Sequence, residues 1–133
     1  MATASKKILV VDDDRNMTEL LDAVLRCAGF GVTIAHSGRE ALDRAREDPP
    51  DAILLDVVLP GMDGWETCRQ IKAAEPVARA PVYFITGRSE PEDVAICSQA
   101  GGAALLVKPI DVGELLDHLG GVDLPAGFGR ASR

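Results

Sequence analysis

Five short apolar, β-branched runs alternate with amphipathic helical patterns along this chain, and that alternation admits few folds. The runs are Ile8–Val11, Gly31–Ala35, Ala52–Leu55, Val82–Ile85 and Leu105–Val107, the second being the weakest. Strands that alternate with helices build βα units around a parallel sheet. Runs this continuously hydrophobic suit strands covered on both faces. The expected class is therefore α/β.

The intervening segments read as helices. Met17, Leu20, Leu21, Val24, Leu25 and Ala28 follow the spacing of one buried helix face, and Gly29 ends the run. Ser37 with Glu40 has capping-box spacing ahead of Ala41, Leu42 and Ala45. A third helix is expected to begin near Asp63-Gly64 and to bury Trp65, Cys68 and Ile71. A fourth opens with Glu90-Pro91-Glu92-Asp93, where proline suits the first position and acids suit the helix dipole. A fifth starts at Asp111, with Glu114 three residues on, and buries Leu115, Leu116 and Leu119.

At 133 residues the chain fits one domain, expected over residues 6–119. From Gly120 the composition turns to Gly and Pro, so 120–133 is expected to be a flexible C-terminal tail, a disordered end or linker stub rather than a docking peptide. No apolar run approaches the roughly 20 residues of a membrane helix, and the N-terminus has no signal-peptide apolar region. Cys27, Cys68 and Cys97 are scattered without a CxxC pair, as reduced cytosolic thiols would be. The expected location is cytoplasmic, with no membrane partner. A net charge of −7 with scattered basic residues argues against direct nucleic-acid binding, which needs clustered Lys and Arg.

The functional signal lies where the apolar runs stop. The first ends in Asp12-Asp13-Asp14, the third in Asp56, the fourth in Thr86 and the fifth in Lys108-Pro109. Open parallel sheets collect ligand chemistry at the carboxyl ends of their strands. Three carboxylates, a hydroxyl and an ammonium would thus converge on one edge. Crowded carboxylates repel, and Mg²⁺ relieves that repulsion through hard oxygen ligands. Asp56 could then act as a nucleophile towards phosphorus, with Lys108 and Thr86 holding the remaining phosphoryl oxygens. Taken singly, Asp12 to Asp14 read equally as helix-capping acids and Lys108 as a surface cation. Taken jointly, complementary polar groups at four strand ends fit that reading poorly.

These stretches resemble the receiver domain of two-component response regulators, over about residues 6 to 119. Val10-Val11-Asp12-Asp13-Asp14 resembles the family's acidic pocket, Asp56-Val57-Val58-Leu59-Pro60-Gly61-Met62-Asp63-Gly64 its phosphoacceptor loop, and Thr86 and Lys108-Pro109 its two later strand ends. The resemblance implies a flavodoxin-like, five-stranded parallel sheet in order 2-1-3-4-5 with helices on both faces. It implies Asp56 as phosphoacceptor, and Mg²⁺ held by Asp13 directly, by Asp12 through water, by Asp56 and by the backbone carbonyl of Val58. Thr86 and Lys108 would engage the phosphoryl, and the Lys108-Pro109 bond would be cis. The phosphoryl would come from a histidine on a sensor kinase or phosphotransfer protein, and the signal would pass to a downstream protein target through changed interactions. With no separate substrate, the chain would not be an enzyme; its oligomeric state is left open.

Leu105 and Gly87 depart from the family pattern, and Val58 and Arg88 flank the site. Leu105 stands where a switching Tyr or Phe is common, Gly87 where the residue after Thr86 is usually Ala, and Val58 and Arg88 occupy positions that tune phosphoryl lifetime in similar domains. His36 and His118 sit at no recognised site and are expected to be structural or exposed. Asp14 and Asp63 read as helix starts rather than ligands. Two competing functions fit these residues less well. A phosphorylation-independent interaction module on the same fold has no reason to keep the whole polar set. A metal-dependent phosphatase of the Asp-x-Asp type would need an acid where Val58 stands, and neither a G-x-x-x-x-G-K-[ST] loop nor a G-x-G-x-x-G turn is present.

Overall fold

Strands and helices alternate as the hydrophobic pattern requires: β1 (Lys7–Val11), α1 (Arg15–Cys27), β2 (Gly31–Ala35), α2 (Gly38–Glu47), β3 (Ala52–Asp56), α3 (Gly64–Lys72), β4 (Val82–Thr86), α4 (Pro91–Gln99), β5 (Ala104–Val107) and α5 (Val112–His118). The computed structural model describes residues 6–74, 79–87 and 90–120. Arg88 and the tail beyond Gly120 lie outside the described residues, and with them the expectations placed there. All strand pairs are parallel and the sheet order is β2-β1-β3-β4-β5, as the resemblance implied.

Successive residues of a strand point to opposite faces, so each strand feeds two cores. Leu9, Val11, Ile53, Leu55 and Phe84 belong to one, together with Ala41, Cys68, Ile71 and Cys97 from α2, α3 and α4. Ile8, Val10, Leu54, Ile85 and Leu106 belong to the other, with Leu21 and Leu25 of α1 and Leu115 and Leu116 of α5. Each fully buried Leu, Ile or Phe stabilises by roughly 1.5–3 kcal/mol, so the doubly covered sheet is a rigid platform.

Most helix starts carry the expected caps. Asp14 accepts the amides of Asn16 at 2.9 Å and Met17 at 3.3 Å, Asp63 accepts that of Glu66 at 2.9 Å, and Asp111 that of Glu114 at 3.1 Å. At α4 the Glu90 amide donates to Asp93 at 2.9 Å. Gly29 ends α1 with φ 98°, a left-handed conformation that glycine takes without steric cost. Three details differ from expectation. Leu20 is 58% exposed, because the buried line of α1 runs through Thr18, Leu21 and Leu25, and Leu20 is turned about 100° from Leu21. Trp65 is half-buried rather than buried. At α2, Ser37 accepts the Glu40 amide at 3.1 Å, but the Glu40 carboxylate takes the His36 amide at 2.8 Å instead of that of Ser37. The reciprocal cap is displaced by one residue.

Parallel pairing brings the strand ends level. Val11 faces Ala35 and Leu55 on its two sides, Asp56 faces Ile85, and Thr86 faces Val107. The ladder continues past the strands: Val57 donates to Ile85 at 3.1 Å and Lys108 donates to Thr86 at 2.8 Å through their amides. Asp12, Asp56, Thr86 and Lys108 therefore leave the sheet at one edge. No helix among the described residues is long and apolar enough to cross a membrane.

Candidate functional site

At that edge one carboxylate oxygen each from Asp12, Asp13 and Asp56 lie within 4.8 Å of one another. Asp12 and Asp56 are buried at 2% and 5% exposure, whereas Asp13 is exposed. Asp12 Oδ1 accepts the Asp14 amide at 2.9 Å, and Asp56 Oδ1 accepts the Val58 amide at 3.1 Å. Across the sheet, Lys108 Nζ sits 3.4 Å from Asp56 Oδ2 and 3.6 Å from Asp12 Oδ2. Burial acts to lower the Lys108 pKa, but attraction by Asp56 and then Asp12 prevails and raises it, so the ammonium stays charged.

One ammonium does not balance three carboxylates. Asp12 Oδ2 is buried and has no hydrogen-bond partner among the described residues, an uncommon and costly state for a carboxylate oxygen. The donors are hard oxygens, with one exposed acid at the rim as an entry point. That set fits a small divalent cation such as Mg²⁺, which binds through one or two carboxylates while retaining waters. Metal binding would supply the partner that Asp12 Oδ2 lacks.

The same geometry predicts a pH effect in the metal-free protein. Burial first, and the neighbouring Asp56 charge after it, push the Asp12 carboxyl from 3.8 up to about 6, against the opposing pull of the Asp14 amide and Lys108. A carboxyl raised in the folded state adds stability below its unfolded pKa and loses it as pH rises through the folded value. Stability in a chelating buffer is thus expected to increase by about 1 kcal/mol between pH 7 and pH 5, from this group alone. Urea denaturation at the two pH values measures it, and Asp12→Asn should flatten the difference.

The remaining predicted residues fall around this cluster. Thr86 is buried at the end of β4, beside Asp56 in the sheet. The Lys108-Pro109 bond is cis, as the resemblance implied. Val58 turns its amide to Asp56 and leaves its side chain 72% exposed. Leu105 is half-buried and packs on the core cluster that contains Phe84. Gly87 is exposed, and a Cβ there would meet nothing within 4 Å among the described residues. His36 lies 3.5 Å from Thr18 Oγ1 through Nε2, and the His118 carbonyl accepts the Tyr83 hydroxyl at 3.0 Å. Both histidines have the structural surroundings expected of them. Asp14 and Asp63 are caps, also as expected.

Two contributors were not singled out from the sequence. Gly64 donates its amide to the Val57 carbonyl at 2.8 Å and lies so close to β3 that a Cβ would fall 2.3 Å from the Asp56 carbonyl oxygen. The sequence marks Gly64 as the end of the phosphoacceptor-like loop and as a helix start, and carries no sign of this close approach to β3. Asp93, read only as a favourable first-turn acid, is buried and helps to wall a cavity of about 400 Å³ beside Thr86.

The family model described as the response regulator receiver domain matches residues 8–120. The DNA-binding response regulator MtrA of Mycobacterium tuberculosis is 38% identical over 116 residues, which cover 87% of this chain and 50% of that protein. The chain spans about half the length of the curated relatives it matches. Among solved structures, the Vibrio cholerae chemotaxis protein CheY4 superposes with a TM-score of 0.84 at 32% identity, covering 90% of this chain and 100% of that one. The receiver domain of the sensor histidine kinase PA1611 from Pseudomonas aeruginosa, with a magnesium ion coordinated in its active site cleft, gives a TM-score of 0.80 at 35% identity. That match covers 87% of this chain and 95% of that one.

Proposed function

This chain belongs to the response regulator receiver domain family, and on that premise we propose that Asp56 accepts a phosphoryl group in a Mg²⁺-dependent reaction. The observation that carries the reading is the shared ammonium: Lys108 reaches both Asp12 and Asp56 while Asp12 Oδ2 has no hydrogen bond among the described residues. Asp13, Asp12 through water, Asp56 and the Val58 carbonyl would hold the ion. When bound, Mg²⁺ would neutralise charge on the transferring phosphoryl.

The chain's own groups supply the rest. The Val58 amide fixes Asp56 Oδ1, which leaves Oδ2 to attack phosphorus. The P–N bond of the donor breaks as the new P–O bond forms, and the product is an acyl phosphate. Lys108, already 3.4 Å from Oδ2, is placed to move onto a phosphoryl oxygen. The Thr86 hydroxyl engages another oxygen, and water later hydrolyses the acyl phosphate. The donor is a histidine of a sensor kinase or phosphotransfer protein, and the output is a change in binding to a downstream protein. No separate substrate is turned over, so the role is signalling in the cytoplasm rather than enzymatic.

Incubation with acetyl phosphate and Mg²⁺ tests this by intact-mass spectrometry. A labile phosphoryl adduct is expected, lost when the metal is chelated. Absence of any adduct from either acetyl phosphate or phosphoramidate, despite Mg²⁺ binding, would favour the phosphorylation-independent interaction module.

A further inference from the structure

Next to Asp56, on the side of β4 and α4, the cavity of about 400 Å³ is walled by Val57, Val58, Trp65, Thr86, Gly87 and Asp93. Its chemistry differs from that of the acidic cluster. Trp65 stands with its ring centroid 4.5 Å from that of Phe84, inclined by 53°, so the buried Phe84 supports the indole from behind. Gly87 contributes bare backbone, and among the described residues a Cβ there would meet nothing within 4 Å. Asp93 adds one buried carboxylate, held in place by the Glu90 amide. A hydroxyl, an aromatic wall, an open backbone and a fixed negative charge thus surround a space that begins at the residue after the phosphoacceptor.

We propose that this cavity seats the imidazole ring of the phosphodonor, the leaving group of the reaction at Asp56; the inference rests on the reading of Asp56 as phosphoacceptor. A phosphorylated imidazole is the better donor when its second ring nitrogen is protonated, because the ring then departs neutral. The reactive form is therefore flat, aromatic and cationic. Such a ring is stabilised by the face of an indole and by a nearby carboxylate in a partly desolvated site. Trp65 supplies the first and Asp93 the second. The P–N bond breaks with its electron pair retained on nitrogen, a P–O bond forms to Asp56, and the proton stays on the other ring nitrogen. No co-reactant is needed. Trp65, Gly87 and Asp93 become specificity determinants for donors that carry a ring.

Donors without a ring provide the comparison. Phosphoramidate loses ammonia and has nothing to place in the cavity, whereas N-phosphorylimidazole does. The rate of Asp56 phosphorylation with each donor, at saturating Mg²⁺, is followed by rapid quench and intact mass. The variants are Gly87→Val, which adds bulk to the exposed backbone wall, Trp65→Leu, which removes the aromatic face, and Asp93→Asn, which keeps an acceptor for Glu90 without the charge. The ratio of the imidazole to the amidate rate is expected to fall about three- to tenfold in each, the size of one aromatic or charge contact. A ratio unchanged in all three, with the native protein phosphorylated by both donors, overturns the proposal alone. Native protein that reacts with neither donor overturns the phosphoacceptor reading, and this inference with it.

Discussion

Asp56→Asn is expected to abolish the acetyl-phosphate adduct, a loss of at least about 100-fold, while leaving the fold intact and making the metal-free protein more stable. The two effects have one cause. Asn keeps the volume and can still accept the Val58 amide, but it is no nucleophile towards phosphorus. It also removes one of three carboxylates whose oxygens lie within 4.8 Å of one another. Lys108 then has Asp12 as its remaining partner at 3.6 Å, so the ammonium is not stranded. Relief of the repulsion outweighs the lost half of the ion pair, and a gain of about 1 kcal/mol without metal is the expected result. In the native protein, Mg²⁺ at tenfold its dissociation constant should add about 1.4 kcal/mol. That increment should shrink sharply in the variant. Thermal melts with and without Mg²⁺, beside the mass measurement, check both limbs. A variant destabilised in the absence of metal would show that the Asp56–Lys108 contact outweighs the repulsion.

The site was legible in the sequence because a parallel sheet converts sequence position into place. Every strand of such a sheet runs the same way, so the residue that ends each apolar run arrives at the same edge. Asp12, Asp56, Thr86 and Lys108 could be grouped from that rule with no distance known. Long-range packing was less visible. The pattern around Leu20 matches a helical stripe as well as that around Leu21 does, and only the rotation of α1 against the sheet, with Thr18, Leu21, Val24 and Leu25 buried, leaves Leu20 exposed. Glu40 has the right spacing for Ser37, yet the end of β2 offers it the His36 amide first. Trp65 reads as core by residue type. Its half-burial follows from the cavity beside it, which is built by Gly87 and Asp93 from a different βα unit. Leu105, where the family often carries an aromatic, still packs against the cluster that holds Phe84. An aromatic group close to the site is present all the same, on α3 rather than β5.

Gly64 exposes a contest between local propensity and packing, and Gly64→Ala decides it. Near the start of a helix, alanine in place of glycine ordinarily stabilises by up to about 1 kcal/mol. Here the new Cβ would fall 2.3 Å from the Asp56 carbonyl oxygen and 2.8 Å from Val57 Cα. Both are backbone atoms, one of the last residue of β3 and one of the residue after it, so no rotamer change can make room. The start of α3 must move away, and its 2.8 Å bond from the Gly64 amide to the Val57 carbonyl must lengthen or break. A net loss of about 2–4 kcal/mol is expected, with packing prevailing over propensity. The displacement acts on the Asp56-Val57-Val58 segment itself, which carries the phosphoacceptor and the amide that orients it. Phosphorylation by a small donor should therefore slow at least about tenfold even where the protein remains folded. Gly31→Ala is the matched control, because its Cβ would meet its nearest neighbours at an ordinary 3.8 Å. That variant should be near neutral in urea denaturation and in phosphorylation rate. Stabilisation by Gly64→Ala would mean that α3 yields without cost and that the close approach does not position Asp56.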